Sequence, residues 1–96
     1  MRNYEIMYIL RADLDEEARK AEMDKLAKII TDNGGKVNKV DESMGLRELA
    51  YPIKKEAKGY YVVLEVTMGN EAISEFNRLV HIDNLVLRHL IDKLDK

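Results

Sequence analysis

Met44–Met68, MGLRELAYPIKKEAKGYYVVLEVTM, is the stretch of this chain that decides its fold. Side chains alternate along a strand. Read that way, residues 46–53 send Arg47, Leu49, Tyr51 and Ile53 to one side and Glu48, Ala50, Pro52 and the following Lys54 to the other. The polar run Lys54-Lys55-Glu56-Ala57-Lys58-Gly59 reads as a hairpin loop, with Gly59 supplying the positive φ that hairpin closure often needs. A second strand follows over residues 60–68. Pro52 has no N–H to donate and cannot sit inside a ladder without breaking it, so the first strand is expected at a sheet edge. An edge offers unpaired backbone groups to another chain. Arg47, Lys54, Lys55 and Lys58 flank it, and solvated charges of this kind also protect an edge from unwanted pairing.

Upstream, residues 3–11 alternate, with Tyr4, Ile6, Tyr8 and Leu10 on the more apolar face of a first strand. Asp13-Leu14-Asp15-Glu16-Glu17 places carboxylates where they complement the positive end of a helix dipole. Met23, Leu26, Ala27 and Ile30 then recur at helical spacing until Asn33-Gly34-Gly35, which predicts a helix over residues 15–33. Residues 36–43 resume extended structure around Val37 and Val40, with a bulge before Gly45. Downstream, Gly69-Asn70 is expected to turn and cap a second helix over residues 70–80, carried by Ala72, Ile73, Phe76, Leu79 and Val80. After the turn at His81-Ile82-Asp83-Asn84, a last strand covers residues 85–92. The order β-α-β-β-α-β is the α+β, ferredoxin-like pattern. It predicts a four-stranded antiparallel sheet in the order 4-1-3-2, with both helices on one face. That order puts the second strand at an edge, where Pro52 independently places it.

Ninety-six residues suit one domain, here residues 1–96, and 46% hydrophobic residues are enough to build a core. With no cysteine, neither a disulfide framework nor a thiolate metal site can form. The first residues lack the apolar core of a signal peptide, and no apolar run reaches the roughly 20 residues of a membrane span. A cytoplasmic location is expected. The formal charge of −2 disfavours broad nucleic-acid binding, but residues 36–58 hold six basic side chains against four acidic ones. Any RNA contact would be local, with a protein partner supplying further positive charge.

Catalytic chemistry finds little footing. His81 and His89 have no third ligand at zinc spacing, and the acidic run over residues 13–17 lacks the ligand pattern of a calcium loop. Gly34-Gly35 lies at a helix end rather than opening one, so it is no phosphate cradle. An acylphosphatase-like site would have to use Arg11, beside acids that repel an anion. No cofactor is expected. Stacking of single-stranded RNA on the open sheet face needs two or three exposed aromatics, and only Tyr61 is expected there, beside Val63, Glu65, Glu5 and Met7. A homodimeric, ferredoxin-like module that binds a small ligand is the alternative reading of the same pattern.

The stretch Gly45-Leu46-Arg47-Glu48-Leu49-Ala50-Tyr51-Pro52-Ile53, followed by the basic loop and Gly59-Tyr60-Tyr61, resembles the central signature of the bacterial small-subunit ribosomal protein S six family. The opening Met1-Arg2-Asn3-Tyr4-Glu5-Ile6 and the later Val86-Leu87-Arg88 resemble that family too, so the likeness runs through nearly the whole chain. It implies the ferredoxin-like fold and a structural, non-enzymatic place on the ribosome. It further implies binding to the central domain of 16S ribosomal RNA as a pair with ribosomal protein S eighteen, by a protein that is a monomer when isolated. Carried over by motif, the RNA-binding positions are Arg2, Tyr4, Arg47, Tyr51, Lys54 and Arg88. The partner would meet the edge strand at Leu46, Leu49 and Pro52. Met44, Leu46 and Glu48 depart from the family pattern, which often has a bulky aromatic before the glycine and basic residues at the other two positions.

Overall fold

The computed structural model describes residues 1–53 and 55–94, with the backbone alone described at Ala50, Tyr51 and Ile53. Its elements are β1 (Arg2–Arg11), α1 (Glu16–Asp32), β2 (Lys36–Ile53), β3 (Glu56–Met68), α2 (Asn70–His81) and β4 (Val86–Lys93). The four strands form one antiparallel sheet in the order β2-β3-β1-β4, the expected ferredoxin-like arrangement with β2 at an edge. β4 is the other edge.

The alternation of β1 and β3 makes the core. Ile6, Tyr8 and Leu10 pair across the ladder with Leu64, Val62 and Tyr60, and all but the last of these six are buried. Over them lie Leu26, Ile29 and Ile30 of α1 and Ala72, Phe76 and Val80 of α2. The opposite side of the sheet carries no helix. α1 starts because Asp15 turns extended and its Oδ1 accepts the Ala18 N–H at 2.7 Å, which satisfies one of the unpaired donors of the first turn. It stops at Asn33, whose side chain donates to the Ile29 carbonyl at 2.7 Å. α2 starts at Gly69, where no side chain supplies a cap.

The hairpin differs from its sequence reading in two ways. β2 is one strand of 18 residues, not two shorter ones, and it absorbs the expected irregularity as register shifts after Val37, after Asp41 and after Glu48. The connection is also tighter than a six-residue loop. β3 already begins at Glu56, and the positive φ of +68° falls on Lys55 rather than on Gly59. Gly59 lies inside β3, buried, paired with Arg47 on one side and Arg11 on the other. It is a glycine for a different reason: a Cβ there would run into Cγ2 of Ile9. The missing side chain lets Ile9, 4% exposed, pack down on the open side of the sheet.

Candidate nucleic-acid and partner interface

The strand registers organise the open side of the sheet into rows. Because side chains alternate, residues on this side stand across from one another on neighbouring strands, about 4.8 Å apart. Glu65, Glu5 and Asp92 make one row, joined from β2 by Lys39, whose Nζ is 3.9 Å from Glu65. The next row toward the hairpin is Asp41, Val63, Met7 and Leu90. Then come Gly45, Tyr61, Ile9 and Arg88, and last Arg47, Gly59 and Arg11. The face therefore grades from carboxylates through apolar side chains to arginines. Leu90 is 51% exposed, while Met7, Val63 and Tyr61 are half-buried.

The arginine end passes into an arm. β1 pairs with β3 only as far as Arg11↔Gly59, so the part of the β2–β3 hairpin beyond it, with Glu48↔Lys58 and Ile53↔Glu56, is flanked by no other strand. Arg47 is exposed at its base, and its Nε donates to the Met44 carbonyl at 2.9 Å across the bulge at Gly45, whose φ is +60°. Within that bulge Asp41 accepts the Ser43 N–H at 2.8 Å, and its bonds with Ser43 hold its carboxyl below the usual range. Lys55 and Lys58 are exposed farther out. Arg11 sits near the arm but is already engaged: it donates to both Asp13 oxygens, at 3.1 and 2.9 Å, and lies 4.0 Å from Glu56.

Of the six positions carried over for RNA, Arg47 and Arg88 share the open side, three strands and one row apart, which is roughly 16 Å. Arg2 and Tyr4 lie elsewhere. They stand on the helix side, nine residues along β1 from the Arg11↔Gly59 end in the case of Arg2, or roughly 30 Å. Tyr4 is half-buried against the core. Lys54 lies outside the described residues, as does the side chain of Tyr51. The three partner positions also divide. Leu49 is on the open side, its Cδ2 near Gly59, whereas Leu46 pairs with Tyr60 on the helix side and is 54% exposed. Pro52 is exposed on the arm.

Leu46 borders a second cluster on the helix side of β2. Arg19 of α1 lies 4.1 Å over the Tyr60 ring, and the Tyr60 hydroxyl donates to Glu42 at 3.0 Å. His81 is exposed at the end of α2, and His89 packs beside that helix. His89 is 2.8 Å from the Asn77 amide oxygen and meets Phe76 edge-on at 5.9 Å; burial, then His81, lower its pKa. Among the described residues no group of His, Cys, Asp or Glu is placed to hold a metal ion, and no helix is long and apolar enough to cross a membrane.

Sequence reasoning placed Glu5, Met7, Tyr61, Val63 and Glu65 on the open face but left out Leu90 and Asp92. Only the β1–β4 register, shifted by a bulge between Ile9 and Leu10, brings those two into rows with the others.

A family model described as Ribosomal protein S6 matches residues 3–93. The chain is 47% identical over 93 residues to the small ribosomal subunit protein bS6 of Shouchella clausii, covering 97% of both chains. It is 46% identical over 96 residues to that of Exiguobacterium sibiricum, covering all of both. Among solved structures, the 30S ribosomal protein S6 from Thermotoga maritima superposes with a TM-score of 0.88 at 30% identity, over 96% of this chain and 86% of that one. The fold, the edge strand with its Gly45–Ile53 motif and the full-length likeness agree, and the chain belongs to the ribosomal protein S6 family.

Proposed function

We propose that this protein is a structural, non-catalytic constituent of the small ribosomal subunit in the cytoplasm. As one ferredoxin-like domain, it binds the central domain of 16S ribosomal RNA together with ribosomal protein S eighteen. The observation that carries the reading is its likeness, along the whole chain, to proteins named for that subunit. The hairpin arm adds a physical reason. Arg47 is exposed at the base of a projection that no further strand flanks, and Lys55 and Lys58 are exposed along it, where cations can approach a phosphate backbone while the rest of this acidic chain stays back. Arg47 with Lys54 and Tyr51 forms the main RNA contact, and Arg88 extends it across the open side. Arg2 and Tyr4, at the far end of β1, would touch a separate stretch of RNA or serve the fold. The β2 edge with Leu46, Leu49 and Pro52 receives the protein partner, and the isolated protein is a monomer.

Co-sedimentation tests the reading. Tagged protein expressed in a bacterium is expected in the small-subunit fraction of a gradient, with S eighteen, and to crosslink to 16S RNA through a photoreactive residue at position 47. Protein confined to the top of the gradient, or a homodimer in solution that ignores ribosomal particles, would reject it.

A further inference from the structure

The bulge of β2 inserts residues 42–44 between Asp41, which pairs with Val63, and Gly45, which pairs with Tyr61. An insertion of this kind disrupts the ladder and bends the strand, so bonds outside the ladder must fix its shape. Asp41 Oδ1 accepts the Ser43 N–H at 2.8 Å, and the Met44 carbonyl accepts from Arg47 Nε at 2.9 Å. Glu42 accepts the Tyr60 hydroxyl at 3.0 Å, and of the three bonds this one reaches outside β2. Tyr60 stands half-buried on the helix side, between Leu10 and Leu46 of the neighbouring strands, with the Arg19 guanidinium 4.1 Å over its ring. A cation so placed is attracted to the ring face, so α1 holds the ring down on the sheet. A tyrosine has only two χ angles, and a ring held on its face carries its hydroxyl to one place.

We infer, on the strength of the RNA contact proposed for Arg47, that Arg19, Tyr60 and Glu42 are positioning residues for that contact, a relay through the sheet that holds the Arg47 fork in its binding orientation before RNA arrives. The relay runs from α1 through the Tyr60 ring to Glu42, fixes the bulge, and so places the Met44 carbonyl that orients Arg47 on the open side. A guanidinium carries five N–H donors, and the bond from Nε takes one, so the two Nη groups can still grip a phosphate as a pair. The bond to Tyr60 also keeps the Glu42 carboxylate on the helix side, away from an anion at Arg47. A side chain that is already ordered loses less freedom when it binds, so the relay raises affinity without touching RNA.

The test measures binding of the full-length protein, premixed with S eighteen, to a central-domain RNA fragment. Tyr60→Phe keeps the ring under Arg19 and removes the hydroxyl. It is expected to weaken RNA binding about fivefold, the factor that one net hydrogen bond contributes, with the urea midpoint close to wild type. The slope of log affinity against log salt should stay the same, because no phosphate contact is lost. Glu42→Ala and Glu42→Gln remove the same charge, so the tighter binding expected of Gln, which keeps an acceptor oxygen for Tyr60, reports the bond alone. In an Arg47→Ala background Tyr60→Phe should cost nothing further, and neither should Arg19→Met, which weakens binding when Arg47 is present. In the free protein the Arg47 Nε–H should exchange with water faster once the Tyr60 hydroxyl is gone. A tyrosine that merely supports the fold would weaken binding equally with and without Arg47, and that additive result would overturn the relay. Wild-type affinity in Tyr60→Phe, with Arg47→Ala weakened, would also overturn it and leave the RNA contact standing. No binding by the wild type, or undiminished binding by Arg47→Ala, would overturn the contact and the relay together.

Discussion

Replacing Glu22 by Gln should make this protein more stable at alkaline pH and slightly less stable in acid. Glu22 lies in the middle of α1, 3% exposed, and its Oε2 has no hydrogen-bond partner among the described residues. It shares its surroundings with Asp83, from the turn between α2 and β4, and with Lys25, whose Nζ is 3.1 Å from Asp83 and 3.9 Å from Glu22. Two carboxyls thus compete for one ammonium. Burial, the hydrogen bond with Asp83 and that group's charge push the Glu22 pKa up to about 7. Asp83, buried but held by bonds from Glu22, the Leu85 N–H and Lys25, stays below its usual value, so Glu22 is the member that keeps the proton. The unfolded chain releases that proton near the ordinary value of 4.5. Between about 4.5 and about 7 the folded state therefore binds more protons than the unfolded one, and stability falls as pH rises through this window. At about 1.4 kcal/mol per pH unit the loss totals about 3 kcal/mol. Glutamine has no proton to lose and keeps an N–H for Asp83. After allowing about 1 kcal/mol for an imperfect replacement bond, Glu22→Gln should gain about 2 kcal/mol at pH 8, a rise in Tm of roughly 10 °C, and should lose about 1 kcal/mol near pH 4.5, where wild-type Glu22 keeps its proton. Urea unfolding of both proteins from pH 4.5 to 8 reads this out. Parallel stability curves across that range would refute a proton held at Glu22.

Gly59→Ala should cost about 1–3 kcal/mol, because its methyl overlaps Ile9 Cγ2 on a packed part of the open face. Trimming Ile9 to Ala in the same protein should recover much of the Gly59 penalty, which a double-mutant unfolding cycle measures. Tyr8→Phe removes a buried hydroxyl that has no hydrogen-bond partner among the described residues, so stability should stay level or rise by about 1 kcal/mol by calorimetry. Arg47→Ala should change stability by less than about 0.5 kcal/mol, yet flatten the slope of log affinity against log salt for RNA by roughly one unit or less.

Much of the fold was legible because a few residues have one physical meaning each. Pro52 cannot donate in a ladder, and β2 is indeed an edge strand. Tyr4, Ile6, Tyr8 and Leu10 alternate with residues of the other face, and the pairing of β1 with β3 keeps that alternation. Gly59 was misread because positive φ and close approach both select glycine, and only the register reveals Ile9 beneath it. Buried Glu22 has no place in the sequence reading. Its place four residues before Leu26 and eight before Ile30, on the stripe that faces the sheet, was the available signal. For the site, motif likeness could assign Arg2, Tyr4, Arg47 and Arg88 but could not tell that they divide between two sides of one sheet. The acidic row is likewise a product of register, since Glu5, Glu65 and Asp92 are far apart in sequence.

Equilibrium titration of a central-domain fragment of 16S RNA with this protein, alone and premixed with S eighteen at physiological salt, tests the account most directly. A chain of net charge −2 with one basic arm should hold the RNA weakly by itself and at least a hundredfold more tightly as the pair. Equal affinity with and without S eighteen, or no retention of the RNA in either case, would contradict it.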